Sequence, residues 1–188
     1  MDGGNLFESR ATKTLDAKLA APHPRPGVFI SHSRLDKEKE RVFDRASEAS
    51  NIDYYFDEND EELQIADEQN NHLKVVGCIE NGIEMCSHLL GIITENTKDS
   101  WWVPYEIGSA NGRGRECAHV IDKEVNKLPS YIKAAPLITN RADLRNWLPF
   151  EVTKTSGSIV ELARRLAQLL DYPDFIPPNR SVNDLTFY

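Results

Sequence analysis

From Gly27 to Leu170, short apolar runs of strand length alternate with longer segments of helical spacing. The first run, Gly27-Val28-Phe29-Ile30-Ser31-His32-Ser33, stops abruptly in small or polar side chains. A continuous apolar run of this kind reads as a strand buried on both faces. Val28 to Ser31 is therefore strand one, Asn51 to Phe56 strand two, His88 to Thr94 strand three and Cys117 to Ile121 strand four. A fifth is expected near Leu137-Ile138. Helices are expected over 36–50, 75–86, 100–110 and 158–170; in the last, Ile159, Leu162, Leu166, Leu169 and Leu170 recur at spacings of three and four. Strand–helix alternation forces right-handed crossovers. The expected fold is therefore α/β: a central, mostly parallel five-stranded sheet with helices on both faces. Such sheets bind ligands beyond the carboxyl ends of their strands, where Ser31, His32, Ser33 and Asp57 fall.

With 188 residues, one domain with tails is expected. Residues 1–26 read as an N-terminal tail, with Pro22, Pro24 and Pro26 favouring extended chain; 27–170 is the domain and 171–188 a C-terminal tail. The formal net charge of -8 argues against non-specific binding to nucleic acid or anionic membrane, since both require a basic field. The three cysteines do not make a disulfide framework, and a cytoplasmic location is the simplest reading. Cys117-x-His119 supplies only two of the four ligands of a tetrahedral zinc site, so no metal is expected. No apolar stretch has the length of a bilayer span. The acidic segment Asp57 to Asn71 reads as a solvated loop beside the strand ends, ordered by contact with another subunit. Arg113 and Arg115 are the nearest complementary basic groups.

The second unusual segment is Ser100-Trp101-Trp102-Val103-Pro104-Tyr105-Glu106. Trp102 and Glu106, four apart, share one helix face. Trp102 is either a core anchor or a wall for a bound ring, and Trp101 with Tyr105 forms a second four-apart pair that packs on a neighbouring element. Glu106 is either a working carboxylate, a surface one or the structural partner of an arginine; Ser31, His32 and Ser33 are either ligand contacts or strand-ending turn residues. There is no G-x-x-x-x-G-K-[ST] loop, no complete dinucleotide fingerprint and no H-E-x-x-H.

Taken in order, Val28-Phe29-Ile30-Ser31-His32-Ser33 and Ser100-x-Trp102-Val103-x-x-Glu106-Ile107 resemble the first box and third-helix motif of the Toll/interleukin-receptor (TIR) domain family. The form is closer to the bacterial single-domain members than to the plant receptor type. The resemblance implies a flavodoxin-like TIR fold over residues 27–170. It also implies an NAD+ glycohydrolase or ADP-ribosyl cyclase that releases nicotinamide and makes ADP-ribose or a cyclic ADP-ribose-type signal, in bacterial anti-phage defence. On that resemblance Glu106 is the catalytic glutamate, while Ser31, His32, Ser33, Arg34, Asp57 and Trp102 bind substrate. NAD+ is a substrate and no cofactor is implied. The implied partners are other copies in a homo-oligomer or TIR–TIR assembly, and a downstream effector protein that senses the product. Ser33 stands where some enzymes of the family carry Arg, so phosphate contacts would pass to Arg34 or backbone amides. Two other readings stand: a non-catalytic TIR–TIR interaction module, and a nucleoside deoxyribosyltransferase-like enzyme, which also uses a glutamate on an α/β sheet.

Overall fold

The computed structural model describes residues 27–36, 53–57, 60–122, 125, 127–139, 141–148 and 186–187. The helices expected over 36–50 and 158–170 and the N-terminal tail lie outside these residues, except for Asp36.

Four parallel strands form the central sheet: β1 (Gly27–Ser31), β2 (Asp53–Tyr55), β3 (His88–Ile93) and β4 (Glu116–Ile121), in the order β2-β1-β3-β4. Val28, Phe29, Ile30 and Ser31 face His88, Leu89, Leu90 and Gly91 in register. Leu89, Leu90 and Gly91 in turn face Cys117, Ala118 and His119. The order is compatible with flavodoxin-like winding, in which the connections reverse direction between β1 and β3 and leave a crevice at their carboxyl ends. The expected fifth strand is reduced to one parallel bridge, His119 to Leu137. Two backbone bonds hold it, His119 N–H to the Pro136 carbonyl (3.0 Å) and Ile138 N–H to the His119 carbonyl (2.8 Å). Pro136 has no N–H to extend the ladder. A separate pair of short parallel strands, β5 (Lys127–Leu128) and β6 (Thr186–Phe187), draws the end of the C-terminal segment against the domain.

Side chains alternate across the sheet and fill two apolar cores. Val28, Ile30, Leu90, Ile92, Ala118 and Val120 pack on one face with Ile138, Leu144 and Leu148. Leu144 lies on α4 (Arg141–Trp147). Phe29, Leu89, Ile93, Cys117 and Ile121 pack on the other, under helices α1 (Glu61–Glu68), α2 (His72–Met85) and α3 (Trp102–Gly112). Helices therefore cover both faces.

The acidic segment is not a loop. Asp60, 1% exposed, caps α1: one carboxylate oxygen accepts from the Glu62 and Leu63 N–H groups at 3.0 and 3.1 Å. Its other oxygen accepts from the Tyr55 hydroxyl at 2.8 Å. Glu61 and Glu62 then sit in the first turn, where the helix dipole favours negative charge, and Leu63 and Ala66 are buried. The cap contributes about 1 kcal/mol. Arg113 and Arg115 are not free either. Arg113 pairs with Glu80 and Glu84 of α2, and Arg115 with Glu84 at 3.0 Å, clamping α2 to α3. Cys78, Cys86 and Cys117 are free and buried.

Candidate active site

Helix α3 carries the central carboxylate. Its buried residues, Val103, Glu106, Ile107 and Ala110, follow the three-four spacing of an apolar stripe. Glu106 thus occupies a position that packing alone would give to an aliphatic side chain. The Val103 N–H reaches the Ser100 hydroxyl at 3.3 Å, and Pro104 sits in the first turn, where a missing N–H costs nothing. The helix lies over the sheet face formed by Phe29, Leu89 and Ile93.

Ser31 ends β1 on that same face. Its hydroxyl donates to Glu106 Oε2 at 2.6 Å, and the two residues are 0% and 2% exposed. The two side chains are in direct contact and shielded from solvent. Desolvation is the main reason that the Glu106 carboxyl is pushed up to about 8; the Asp57 charge adds to it, while the Ser31 hydrogen bond and Arg34 oppose it. At neutral pH the carboxyl is therefore mostly protonated.

Three of the residues singled out in the sequence act on Glu106: Ser31 by contact, Asp57 and Arg34 through their charges. Arg34 lies on a short 3-10 turn, Arg34–Asp36, and pairs with Asp67 of α1 at 3.0 Å. His32 is buried, with its ring edge-on to Phe56 at 5.6 Å, in the core on the opposite face. Ser33 is buried, and its carbonyl accepts from the Asp36 N–H at 2.8 Å, closing the turn. Trp102 is half-buried against the Glu106-side core and edge-on to Tyr105 at 6.0 Å. Trp101 does not pack on a neighbouring element: it is 91% exposed, while Tyr105 donates to Glu80 of α2.

Sequence reasoning missed two features here. The first is a latch at the carboxyl end of β3. Asp36, 6% exposed, accepts from the Thr94 hydroxyl at 2.6 Å and from the Asn96 amide at 2.8 Å, pinning the 3-10 turn to β3. The signal was the Thr94-x-x-Thr97 capping pattern, whose two reciprocal bonds are both present. The second is Gly91, a glycine inside a buried strand, a common sign of close approach by a neighbour. A methyl group at Gly91 would stand 2.5 Å from His119 Nδ1.

A shallow depression beside the end of β3 is lined by Thr94, Lys98, Leu128 and Tyr131 among others, and does not include Ser31 or Glu106. Cys86-x-His88 repeats the spacing of Cys117-x-His119, yet among the described residues no group of three potential ligands is placed to hold a metal ion. No helix among them is long and apolar enough to cross a membrane.

No family model, curated protein or solved structure matches the chain.

Proposed function

We propose that the chain is a TIR-type NAD+ glycohydrolase or ADP-ribosyl cyclase working at Glu106. The observation that carries this reading is the buried Ser31–Glu106 contact at the β1/β3 crevice, with Glu106 inside an apolar stripe. A carboxyl desolvated at this position lowers the stability of the fold at neutral pH, which is the mark of a group kept for chemistry.

The reaction needs little else. In NAD+ the nicotinamide is already a pyridinium and leaves as a neutral base, so no general acid is required. The bond from ribose C1′ to the ring nitrogen breaks, both electrons go to the nicotinamide, and the sugar carries the positive charge. Glu106 in its ionised form stabilises that charge in a site where water does not screen it. The approaching pyridinium itself favours the ionised carboxylate, as an opposite charge does. Water then adds to C1′, loses a proton to the carboxylate or to solvent, and gives ADP-ribose, or a nucleophile within the same molecule adds and gives a cyclic product. Substrate reaches Glu106 when the Arg34–Asp36 turn lifts from its contacts with Asp67, Thr94 and Asn96, which frees Arg34 for the diphosphate. By this reading the chain acts in anti-phage defence, in the cytoplasm, within a homo-oligomer that covers the nicotinamide end, and its product is sensed by a separate effector.

A second reading, a TIR–TIR interaction module, draws on the exposed apolar side chains Leu35 and Trp101, which are 71% and 91% exposed. One assay separates the two. Purified protein incubated with NAD+ at pH 8 should release nicotinamide over many turnovers, with one ADP-ribosyl product formed per nicotinamide. No nicotinamide at any protein concentration would leave the interaction module standing.

A further inference from the structure

The row of the sheet beneath Glu106 contains one more polar side chain. Ser31, Gly91 and His119 are consecutive partners across β1, β3 and β4. Strand alternation puts all three on the face of Phe29, Leu89 and Cys117, the face that α3 covers. The His119 ring leans over Gly91, into the space a methyl group would fill. Adjacent strands lie about 4.8 Å apart, so a ring laid over Gly91 sits one strand away from Ser31, a separation that one bridging hydroxyl or water can span.

His119 is 0% exposed, and neither ring nitrogen has a hydrogen-bond partner among the described residues. Buried polar groups are almost always satisfied, and leaving one unpaired costs about 1–3 kcal/mol. An aliphatic side chain would fill the same place on this strand without that cost. We propose that His119 is a positioning residue for Glu106: its neutral ring, laid over Gly91, is the hydrogen-bond donor that stabilises the Glu106 carboxylate through one bridging group.

The electrostatics agree. Burial alone lowers the His119 imidazole to about 4, so it stays uncharged across the working range of pH. A neutral imidazole has one N–H to give and one nitrogen to accept, so it can serve the carboxylate without creating a fixed ion pair. The other groups that act on Glu106 are Asp57 beyond β2, Arg34 on the 3-10 turn and Ser31 on β1. Each of them comes from the β1–β2 side, and His119 is the polar group that β4 contributes. The inference rests on Glu106 being the working carboxylate, but its test does not depend on the substrate.

The test is a carboxyl-13C NMR titration of Glu106 in the wild-type chain, His119→Phe and His119→Gln. Phe keeps an aromatic ring over Gly91 but removes the donor; Gln restores a donor. The Glu106 midpoint should rise by about one pH unit or more in His119→Phe and return toward the wild-type value in His119→Gln. Equal shifts in both variants would mean packing alone and would overturn the proposal, as would no shift in either. The wild-type chain gives a second reading that needs no variant to fold. His119 ring 15N resonances should move at the midpoint of Glu106, and ring resonances that do not respond there would also overturn it. A failed nicotinamide assay with a positive titration would sink the NAD+ reading and leave the His119 assignment in place.

Discussion

Glu106→Gln is expected to slow nicotinamide release by two to three orders of magnitude and, in the same protein, to make the fold more stable at pH 7. The kinetic loss is the size expected when one group aimed at a developing charge is removed, on the order of 3–4 kcal/mol. Gln keeps the shape and still accepts the Ser31 hydroxyl, so only the negative charge is lost. The gain in stability follows from linkage. The carboxyl titrates near 8 in the fold against 4.5 in the unfolded chain, so between those values the unfolded state has released a proton that the native state still holds. The Glu106 contribution to wild-type stability is therefore fully present below about pH 4.5, falls by up to about 1.4 kcal/mol per pH unit above it, and levels off beyond pH 8. Gln does not ionise in either state. At pH 7 the variant should exceed the wild type by roughly 3 kcal/mol, with the difference vanishing near pH 4. Denaturant melts of both proteins from pH 4 to 9 check this. A surface carboxylate would give neither the rate loss nor the pH-dependent gain.

The rate itself should depend steeply on pH. Only the ionised carboxylate stabilises the sugar cation, and burial with the Asp57 charge keeps it protonated until about pH 8. The kcat/KM for NAD+ should rise about tenfold per unit at low pH and level off above 8, a gain of about fifty-fold between pH 6 and 8. Asp57→Asn removes the charge that pushes the carboxyl up and should move the profile to lower pH. Arg34→Gln removes an opposing cation and should move it to higher pH. A flat profile between pH 6 and 9 would contradict the assignment of this carboxyl as the working group.

The sheet was legible because buried parallel strands leave long apolar runs. Val28 to Ile30 and Leu89 to Ile93 stand out beside their small and polar flanks, and the order of their strands places the crevice. The fifth strand was less so, since Pro136 limits Leu137 to a single bridge. The acidic segment was misread because its charge masked its spacing. Leu63 and Ala66, three apart, mark the buried side of α1, and Asp60 is its cap rather than part of a repelling loop. Arg113 and Arg115 seemed available because their partners, Glu80 and Glu84, belong to another helix, and only the packing of α2 on α3 brings them together. At the site, the motif pointed to Ser31 and Glu106. That they touch, and that no water separates them, is set by how α3 seats on β1 and β3, which no spacing along the chain expresses. His119 was legible only as half of a Cys-x-His pair for the same reason: its place in one row with Gly91 and Ser31 exists only in the register of three strands.

The measurement that tests the account most directly is a map of NAD+ contacts on the Glu106→Gln chain, which should bind substrate without consuming it. With NAD+ added at millimolar concentration, backbone and side-chain NMR signals of Ser31, Arg34, Asp57 and Gln in place of Glu106 should shift together and saturably. Shifts confined to the amino-terminal edge of the sheet, around Gly27, His88 and Glu116, or no shift at all, would contradict a nicotinamide-ribose site at Glu106.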